Sequence, residues 1–373
     1  MSIACHPSKE KNVSAKANII SQNKIEESVE ELKLPSGFSI SIFAKVPNAR
    51  SLAKSPEGVI YVGSRQGDQV TAIKDLDKDG TADVYYTIAR GLNTPNGVAF
   101  KDGDLYVAEI NRILRYKNIE SKLNNPPAYE VVYDGYPTDR HHGWKYIAFG
   151  PDGRLYVPVG APCNICKSEN KVYASITALD LTNNKMEVYA HGIRNSVGFD
   201  WHPLTGHLWF TDNGRDNLGD DIPPCELNSA PVAGMHFGFP YCHGGYIADP
   251  QYGKEDECAQ FSEPMQNLGP HVAPLGMKFY TGNMFPPNYK NQLFIAEHGS
   301  WNRSKKIGYR VSLVTLDESG KAINYEPFAD GWLNEETQQV GGRPVDLLIL
   351  DDGSMLVSDD YAGIIYRISY SGK

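Results

Sequence analysis

The sequence contains no apolar run that approaches the ~18 to 20 residues of a membrane-spanning helix, so we expect no integral membrane segment. It also lacks a surplus of basic residues, because 36 Lys and Arg stand against 45 Asp and Glu, for a net charge of −9. A partner with a phosphate backbone would need a basic binding face. The composition therefore argues against a nucleic-acid partner.

Long stretches of Ala, Glu, Lys and Leu with helical periodicity are missing as well. By contrast, the 373 residues include 35 Gly, 24 Pro and 22 Tyr. This composition favours many short strands joined by turns, in a chain long enough for one large β domain or two ordinary ones.

One pattern recurs six times: a turn containing Gly or Asn, a strand of apolar and aromatic residues, and then a small or acidic residue. The central strand residues are 45, 50, 53, 85 and 62 positions apart. A hairpin repeated at such a period is typical of propeller blades, each of which needs neighbours to bury its faces. We therefore predict an all-β, six-bladed β-propeller whose central strand residues are Tyr61, Tyr106, Tyr156, Trp209, Phe294 and Leu356.

The two longer spacings are predicted to hold insertions rather than additional blades. Residues 213–275 are dense in Gly, Pro, His and Cys and short of alternation, which is typical of long rim loops that build a binding face. The strand Phe38–Ala44 precedes all six repeats. We expect it to pair with the strands after Leu356 and to close the ring without an open sheet edge.

Residues 1–35 are polar and lack strand patterning, which predicts a flexible leader before a single propeller domain over residues 36–373. The segment Ser2–Cys5 resembles the end of a bacterial lipoprotein signal, although a Cys near a terminus also occurs by chance. This pattern favours a periplasmic or otherwise exported protein with a candidate lipid anchor at Cys5.

Two pairs among the six cysteines are close in sequence. The spacing of Cys163 and Cys166 occurs in zinc and redox motifs, but neither a second ligand pair nor a βαβ context is visible. A structural disulfide in an exported protein is the preferred interpretation. Cys242 and Cys258 flank a Gly-rich loop and could pair too, which leaves Cys225 without an obvious partner.

Polar residues recur just before the first strand and just after the second strand of the repeats. Because these strands form a hairpin, we expect both sets to meet at one mouth of the central channel. Positioned polar groups around one concavity indicate a binding or catalytic site. The segments are 93–96, 141–143, 194–195, 271–274 and 342–344 before first strands, and Arg65, Glu109, Gly160, 212–215, 297–301 and 359–360 after second strands.

In their order along the chain, several motifs resemble the soluble pyrroloquinoline-quinone-dependent sugar dehydrogenases, within them the aldose sugar dehydrogenase and L-sorbosone dehydrogenase-like branch. The resemblance implies an oxidoreductase that oxidises an aldose or sugar aldehyde by hydride transfer to pyrroloquinoline quinone (PQQ) held with calcium. It also implies a small-molecule sugar substrate and a soluble electron acceptor, either a quinone or a cytochrome. The motifs are His142 eight residues before Gly150-Pro-Asp-Gly, and segments 192–195, 219–222, 237–240, 296–303 and 342–346.

The resemblance assigns roles to individual residues. His142 matches the general base that takes the hydroxyl proton, a task suited to an imidazole; the alternative is a histidine that hydrogen-bonds a propeller turn. Arg194 and Asn195 match the pair over the cofactor, where the guanidinium stabilises charge on the quinone oxygen. Their alternative is a salt bridge and cap between blades. Asn96 matches a weaker cofactor contact.

Arg343 would bind a cofactor carboxylate through its forked guanidinium. The glucose-oxidising members of the family have a second Arg two residues further on, where this sequence has Val345. Another cation must therefore complete the carboxylate site. The candidates are Arg303, Lys305 and Lys306.

Two calcium sites are candidates. Gly214 and Arg215 align with the backbone carbonyls that hold the active-site calcium in the family, although the second position is proline there. Separately, alternating carboxylates in segment 75–83 are typical of a calcium loop, but the Glu and the flanking helices of an EF-hand are missing. A structural calcium site and a solvated Asp-Gly turn both stay open for Asp75, Asp77, Asp79 and Asp83.

Two other function classes compete with the dehydrogenase. A calcium-dependent propeller lactonase would use carboxylates at the mouth to hold a metal that activates water. A non-catalytic sugar or peptide receptor is the third class, because propellers carry many unrelated functions. The carboxylates that keep the hydrolase open are Glu109, Asp212, Glu297 and Asp359.

Overall fold

The computed structural model describes residues 29–254 and 256–372. Most of the predicted leader, including Cys5, lies outside the described residues. Within them, no helix has the length and apolar character that crossing a membrane would require.

The last residues of the predicted leader contact the propeller. Backbone hydrogen bonds of 2.9 and 3.1 Å join Lys33 to Asp330. Val29, Leu32 and Leu34 pack against a buried cluster of aromatic and aliphatic side chains. Residues 29–34 are therefore part of the packed domain.

Short strands make up most of the regular structure in the described residues, as the Gly- and Pro-rich composition predicts. Three short 3-10 helices lie between strands, at Glu120–Lys122, Glu257–Gln260 and Pro287–Tyr289. The strands are β1 Phe38–Lys45, β2 Ala49–Lys54, β3 Ile60–Ser64, β4 Val70–Lys74, β5 Val84–Ala89, β6 Gly97–Lys101, β7 Asp104–Ala108, β8 Ile113–Tyr116, β9 Glu130–Tyr133, β10 Ala148–Phe149, β11 Leu155–Val159, β12 Ser175–Asp180, β13 Lys185–His191, β14 Phe199–Trp201, β15 Leu208–Asp212, β16 Pro224–Ala230, β17 Met235–His236, β18 Cys242–His243, β19 Ile247–Ala248, β20 Gln266–Pro270, β21 Pro274–Phe279, β22 Leu293–Glu297, β23 Arg310–Leu316, β24 Ala322–Ala329, β25 Pro344–Ile349, β26 Met355–Asp359 and β27 Ile364–Tyr370.

Six of the seven sheets in the described residues are the blades of a propeller, and β18 and β19 form a separate two-stranded sheet. Blade 1 contains β2 to β5, blade 2 contains β6 to β9, and blade 3 contains β10 to β13. Blade 4 contains β14, β15, β16 and β20, blade 5 contains β21 to β24, and blade 6 contains β25, β26, β27 and β1. The predicted six-bladed propeller is confirmed.

The ring closes through the first strand, as predicted. β1 pairs antiparallel with β27, with Phe38 opposite Tyr370 and Lys45 opposite Ile364. The Phe38 ring also makes edge contacts to Phe285 and Phe328, at centroid distances of 4.8 and 5.0 Å. Each such aromatic pair contributes about 0.5–1.5 kcal/mol, so β1 also stabilises the packing of blade 6 against blade 5.

The predicted central residues all lie in the second strand of a blade and are all buried. In this position each side chain packs between neighbouring blades, which explains why the repeat shows apolar and aromatic residues there. The first and second strands run antiparallel, so Pro274 lies opposite Glu297 and Pro344 opposite Asp359. The start of one strand and the end of the next therefore share one edge of each blade.

The insertion 213–275 forms no additional blade, but it is not only loop. It supplies β16 and β20 to blade 4, and β17 pairs in parallel with β13 of blade 3. Six of the seven residues of β16 are buried although several are polar, so the strand lacks the alternation that would have revealed it. The prediction of a rim loop was therefore wrong for these segments.

Both predicted disulfides are present, Cys163–Cys166 and Cys242–Cys258. Cys225 is buried, and it is unpaired among the cysteines that the structure describes.

Candidate active site

Five of the six blades contribute to one cavity of about 260 Å³, which we call the central cavity. Most of the contributing residues precede first strands or follow second strands, as predicted, whereas Arg50 lies within β2 and Cys225 within β16. Blade 2 does not reach the cavity. The lining includes Arg50, Arg65, His142, Trp144, Arg194, Asn195, Asn213, Gly214, Asp216, Cys225, His271, His298, Trp301 and Arg343.

His142 presents a neutral imidazole to this cavity. Its Nδ1 lies 2.9 Å from the carbonyl oxygen of Ala161, which can only accept, so Nδ1 carries the proton and Nε2 is the acceptor. Burial, followed by the positive charge of Arg194, lowers the pKa of His142 to about 2. The side chain is therefore in the form that a general base requires.

The loop that supports His142 depends on a close approach. A Cβ added to Gly160 would lie 2.5 Å from the Cβ of His142 and 3.1 Å from Oδ1 of Asn195. Only glycine leaves room for both neighbours, because real Cβ contacts are longer than this.

Arg194 is held by several acceptors. Its side chain donates through Nε to the carbonyl of Asn164 at 2.8 Å and through Nη1 to the carbonyl of Asn213 at 3.1 Å. Nη2 donates to Oδ1 of Asn164 at 2.9 Å and to Asp216 at 3.1 Å. Four of the five guanidinium N–H groups are thus used, and one remains for a ligand.

The backbone of the Arg194–Asn195 pair is fixed by one carboxylate. Asp212, at the end of β15, accepts the N–H of Arg194 at 2.8 Å and that of Asn195 at 2.7 Å. Burial, and the Glu226 carboxylate opposite it in the sheet, raise the pKa of Asp212. The predicted hairpin thus joins its two polar ends directly.

Asn96 supports the cavity from behind instead of lining it. The side chain is 1% exposed, its Oδ1 accepts Nε of Arg50 at 2.8 Å, and its Nδ2 donates to the carbonyl of Lys145 at 2.8 Å. Arg50 also forms an ion pair of 2.9 Å with Asp360, which His298 contacts at 2.8 Å. The structure therefore places Asn96 as a support for Arg50, and not as the cofactor contact that the resemblance implies.

Two arginines of the lining have no carboxylate partner within the described ranges. Arg343 donates to the backbone carbonyls of His298 and Gly299, each at 2.9 Å. Arg65 lies over Trp144, 3.7 Å from the ring centroid, and its guanidinium has no hydrogen-bond acceptor in the described part of the chain. Burial and the charges of Arg50 and Arg343 lower the pKa of Arg65 to about 10.

The predicted cations Arg303, Lys305 and Lys306 lie elsewhere. They line a separate cleft of about 340 Å³, where Arg303 donates to the carbonyl of Asp220 at 2.6 Å and Lys306 to that of Gln338 at 2.6 Å. The segment after β22 lines the central cavity up to Trp301, and the residues that follow directly do not. None of the three lines the central cavity, although Lys306 lies together with Arg343 in the lining of a further cavity of about 500 Å³.

Of the two residues predicted to bind the active-site calcium, Gly214 and Arg215, one lines the cavity and the other directs its side chain elsewhere. Gly214 lines the central cavity. Arg215 directs its guanidinium away, to an ion pair of 2.5 Å with Asp249, which His243 also contacts at 2.9 Å. Any metal role of Arg215 would therefore depend on its backbone carbonyl, as the resemblance implies.

The acidic loop between β4 and β5 brings three of its four carboxylates together. One ligand atom each from Asp75, Asp77 and Asp83 lies within 4.8 Å of the others, whereas Asp79 is not part of this group. Both oxygens of Asp75 already accept backbone N–H groups, from Lys78 at 2.7 Å and Gly80 at 2.9 Å. The calcium site and the solvated turn both stay open for this loop.

The four carboxylates of the lactonase alternative are engaged within their own blades. Glu297 accepts Nε of Arg310 at 2.8 Å and the hydroxyl of Ser312 at 2.7 Å. Glu109 pairs with Arg112, and Asp359 accepts two backbone N–H groups. None of these residues, nor Asp212, belongs to a metal-binding group among the residues that the structure describes.

The lining suits a ligand with several carboxylates, as PQQ has. Arg50 and Arg194 are paired with Asp360 and Asp216, but Arg65 and Arg343 bring two uncompensated positive charges. In addition, Nε1 of Trp144 is a buried donor without a partner. Uncompensated cations and donors are costly to bury, and a polyanionic ligand would offset that cost.

The sequence predictions missed Arg50, Trp144 and Cys225 in this lining, whereas His298 lies in the predicted segment 297–301. Arg50 lies within a strand pattern, and none of the three missed residues belongs to a recognised motif. Burial raises the pKa of the Cys225 thiol to about 12 and lowers that of His298 to about 4, so both are uncharged at neutral pH. For Arg50, the only signal in the sequence was a charged residue at the start of a strand pattern.

A family model described as TrAA12-like matches residues 32–371. An uncharacterized protein of Borreliella burgdorferi is 36% identical over 364 residues, which cover 92% of each chain. A pyrroloquinoline quinone-dependent pyranose dehydrogenase of Coprinopsis cinerea is 36% identical over 287 residues, covering 59% of this chain and 36% of that protein. The calcium structure of the Trichoderma reesei carbohydrate-active enzyme of family AA12 matches with a TM-score of 0.80 at 20% identity, over 91% of this chain and 97% of that chain.

The likeness to the Trichoderma structure shows a shared fold, and the Coprinopsis enzyme bears out the resemblance to PQQ-dependent sugar dehydrogenases. With the family match over nearly the whole propeller, these findings show that the chain belongs to the TrAA12-like family.

Proposed function

We propose that this protein is an oxidoreductase that oxidises an aldose or a sugar aldehyde with PQQ bound in the central cavity. The observation that carries the proposal is the neutral His142, whose Nδ1–H is fixed on the Ala161 carbonyl, in a cavity with two uncompensated arginines. A base with a free Nε2 next to a site for a polyanion is what this reaction needs. The Coprinopsis relative, which is PQQ-dependent, supports the same reaction class.

In this proposal the chain's own residues have three tasks. His142 accepts the proton of the hydroxyl group at the carbon to be oxidised. Arg65 and Arg343 bind carboxylates and fix the orientation of the ligand. Arg194 offers its remaining N–H toward negative charge that develops during the reaction. PQQ, when bound, supplies the quinone that accepts the hydride.

Calcium is proposed as the metal of the site, with the Gly214 and Arg215 carbonyls as ligands. Calcium prefers several oxygen ligands and tolerates irregular loops, and Gly214 lies in the cavity lining. The calcium structure of the Trichoderma neighbour supports this choice of ion.

An exported location and a soluble electron acceptor, a quinone or a cytochrome, complete the proposal. The two disulfides of the described chain support an oxidising compartment. A lipid anchor at Cys5 stays a prediction from the sequence.

The test is to titrate metal-depleted protein with PQQ and calcium and to measure dye reduction with a panel of aldoses and sugar aldehydes. The expected result is saturable binding with an absorbance change and sugar-dependent reduction that requires both additions. If PQQ and calcium produced no absorbance change and no sugar reduced the dye, the dehydrogenase proposal would be refuted. A receptor would bind sugar without dye reduction, and a lactonase would hydrolyse lactones without PQQ.

A further inference from the structure

The loop between β11 and β12, residues 160–174, contacts both His142 and Arg194. Within it, Ala161 accepts Nδ1 of His142 at 2.9 Å through its carbonyl and donates its N–H to the carbonyl of Arg194 at 2.8 Å. Three residues further on, Asn164 contacts the Arg194 guanidinium. One loop therefore connects the proposed base with the proposed cofactor arginine.

Asn164 makes an unusually complete set of contacts for a residue in a loop. Its carbonyl accepts Nε of Arg194 at 2.8 Å, and its Oδ1 accepts Nη2 at 2.9 Å, so one residue holds an entire edge of the guanidinium. Its Oδ1 also accepts the N–H of Asp216 at 2.9 Å, and its Nδ2 donates to the Asp216 carbonyl at 3.1 Å. Asn164 thus bridges the two partners of the Arg194–Asp216 ion pair.

The loop has no strand pairing of its own to hold this arrangement, because residues 160–174 lie between strands. Instead, the Cys163–Cys166 disulfide closes a short ring around Asn164, with the two Cα atoms 6.1 Å apart. Such a ring restricts the backbone of the enclosed residues and lowers the entropy that they lose on ordering.

We propose that Asn164 is a positioning residue for Arg194 and that the Cys163–Cys166 disulfide holds Asn164 in place. The effect of this positioning on catalysis rests on the proposed function, in which Arg194 acts on the cofactor. The contact between Asn164 and Arg194 does not depend on the proposed function.

The contact is tested by hydrogen exchange of the Asp216 amide in two proteins, Asn164→Ala and the double variant Cys163→Ser/Cys166→Ser. Because this N–H donates to Oδ1 of Asn164, its exchange should accelerate roughly threefold to tenfold in both variants. The matched controls are Asn170→Ala, in the same loop, and Cys242→Ser/Cys258→Ser, which removes the other disulfide. Both controls should leave the Asp216 amide unchanged.

Unchanged exchange in Asn164→Ala would overturn the proposal, as would exchange that accelerates equally in the controls. If the double Ser variant does not fold, Asn164→Ala, which keeps the disulfide, decides the positioning role. The disulfide is then tested in the wild-type protein, by reducing it with a dithiol and measuring the same amide.

The functional part is tested by the affinity for PQQ and by turnover. Asn164→Ala should raise the Kd for PQQ or lower kcat by about tenfold while KM for the sugar stays within about twofold. A merely structural role would lower the folded fraction and leave the Kd of the folded protein unchanged, which would overturn positioning. If no variant, including wild type, oxidises sugar, the proposed function fails, and the exchange of the Asp216 amide still decides the role of Asn164.

Discussion

Arg65 is the residue whose removal tests the cofactor assignment most directly. Its guanidinium lies on Trp144 in the central cavity and has no acceptor in the described part of the chain. Although burial and the charges of Arg50 and Arg343 lower its pKa to about 10, it is still a cation at neutral pH. We predict that Arg65→Ala weakens the binding of PQQ, because a cofactor carboxylate is the acceptor that this cation lacks.

The size of the effect follows from the type of contact. Hydrogen bonds to charged groups contribute about 1.5–3 kcal/mol, and each 1.4 kcal/mol changes a Kd about tenfold, so the loss of affinity should be roughly 10- to 150-fold. In the cofactor-free protein, the substitution removes the repulsion from Arg50 and Arg343, which stabilises the fold. It also removes the contact with Trp144, which destabilises the fold. The Tm of the cofactor-free protein should therefore change by no more than about 2 °C.

The measurement is calorimetric titration with PQQ in excess calcium at fixed ionic strength. Arg303→Ala is the matched control, because Arg303 was a sequence-based candidate for the same role but lies in another cleft. Its Kd should equal that of wild type. Wild-type affinity in Arg65→Ala would refute the assignment, and a comparable loss in Arg303→Ala would return the second carboxylate site to the segment after Trp301.

Four further changes have defined outcomes. His142→Ala should lower kcat at least about 100-fold with little change in PQQ affinity, and retained turnover would place the base elsewhere. Gly160→Ala should push against His142 and Asn195 and cost about 1–3 kcal/mol in urea unfolding; wild-type stability would contradict the close approach. The folded-state pKa of His142 lies below its unfolded value, so its contribution to wild-type stability falls as pH drops below about 6.5 toward 2. Cofactor-free His142→Gln should therefore lose less unfolding free energy than wild type between about pH 6.5 and 4.5. Equal losses would argue against the buried neutral imidazole. If the acidic loop binds calcium, millimolar calcium should raise the Tm of wild type more than that of Asp75→Asn, and equal shifts would favour the solvated turn.

The sequence could predict the propeller because each blade repeats the same physical requirement. A strand between two blades must be apolar on both faces, so Tyr61, Trp209 and Phe294 recur at positions that alignment of the chain with itself reveals. The strand β16 escaped this reasoning because it buries polar residues and so lacks the expected alternation. Asn228, for example, donates to Glu226 at 3.0 Å, a contact that no sequence pattern records.

The same limit applies to the site. His142, Arg194, Asn195 and Arg343 follow recognisable motifs at blade ends, and the structure brings them together. Lys305 was a candidate because it follows such a motif closely in sequence. The prediction failed because the chain turns away from the cavity after Trp301. The second carboxylate cation could be chosen only once the blades were arranged in a ring, because Arg65 comes from a blade that is distant in sequence from Arg343.

The electrostatics of the cavity link ligand binding to the proposed base. Burial lowers the pKa of His142 most, and the charges of Arg194 and Arg65, which also line the central cavity, lower it further. A bound polyanion would offset the effect of these charges, but not that of burial, and we expect it to move the pKa of His142 upward. A higher pKa would make the imidazole a stronger base in the presence of the ligand than without it. This coupling is a physical reason for placing the histidine among arginines, although their charges lower its basicity when no ligand is bound.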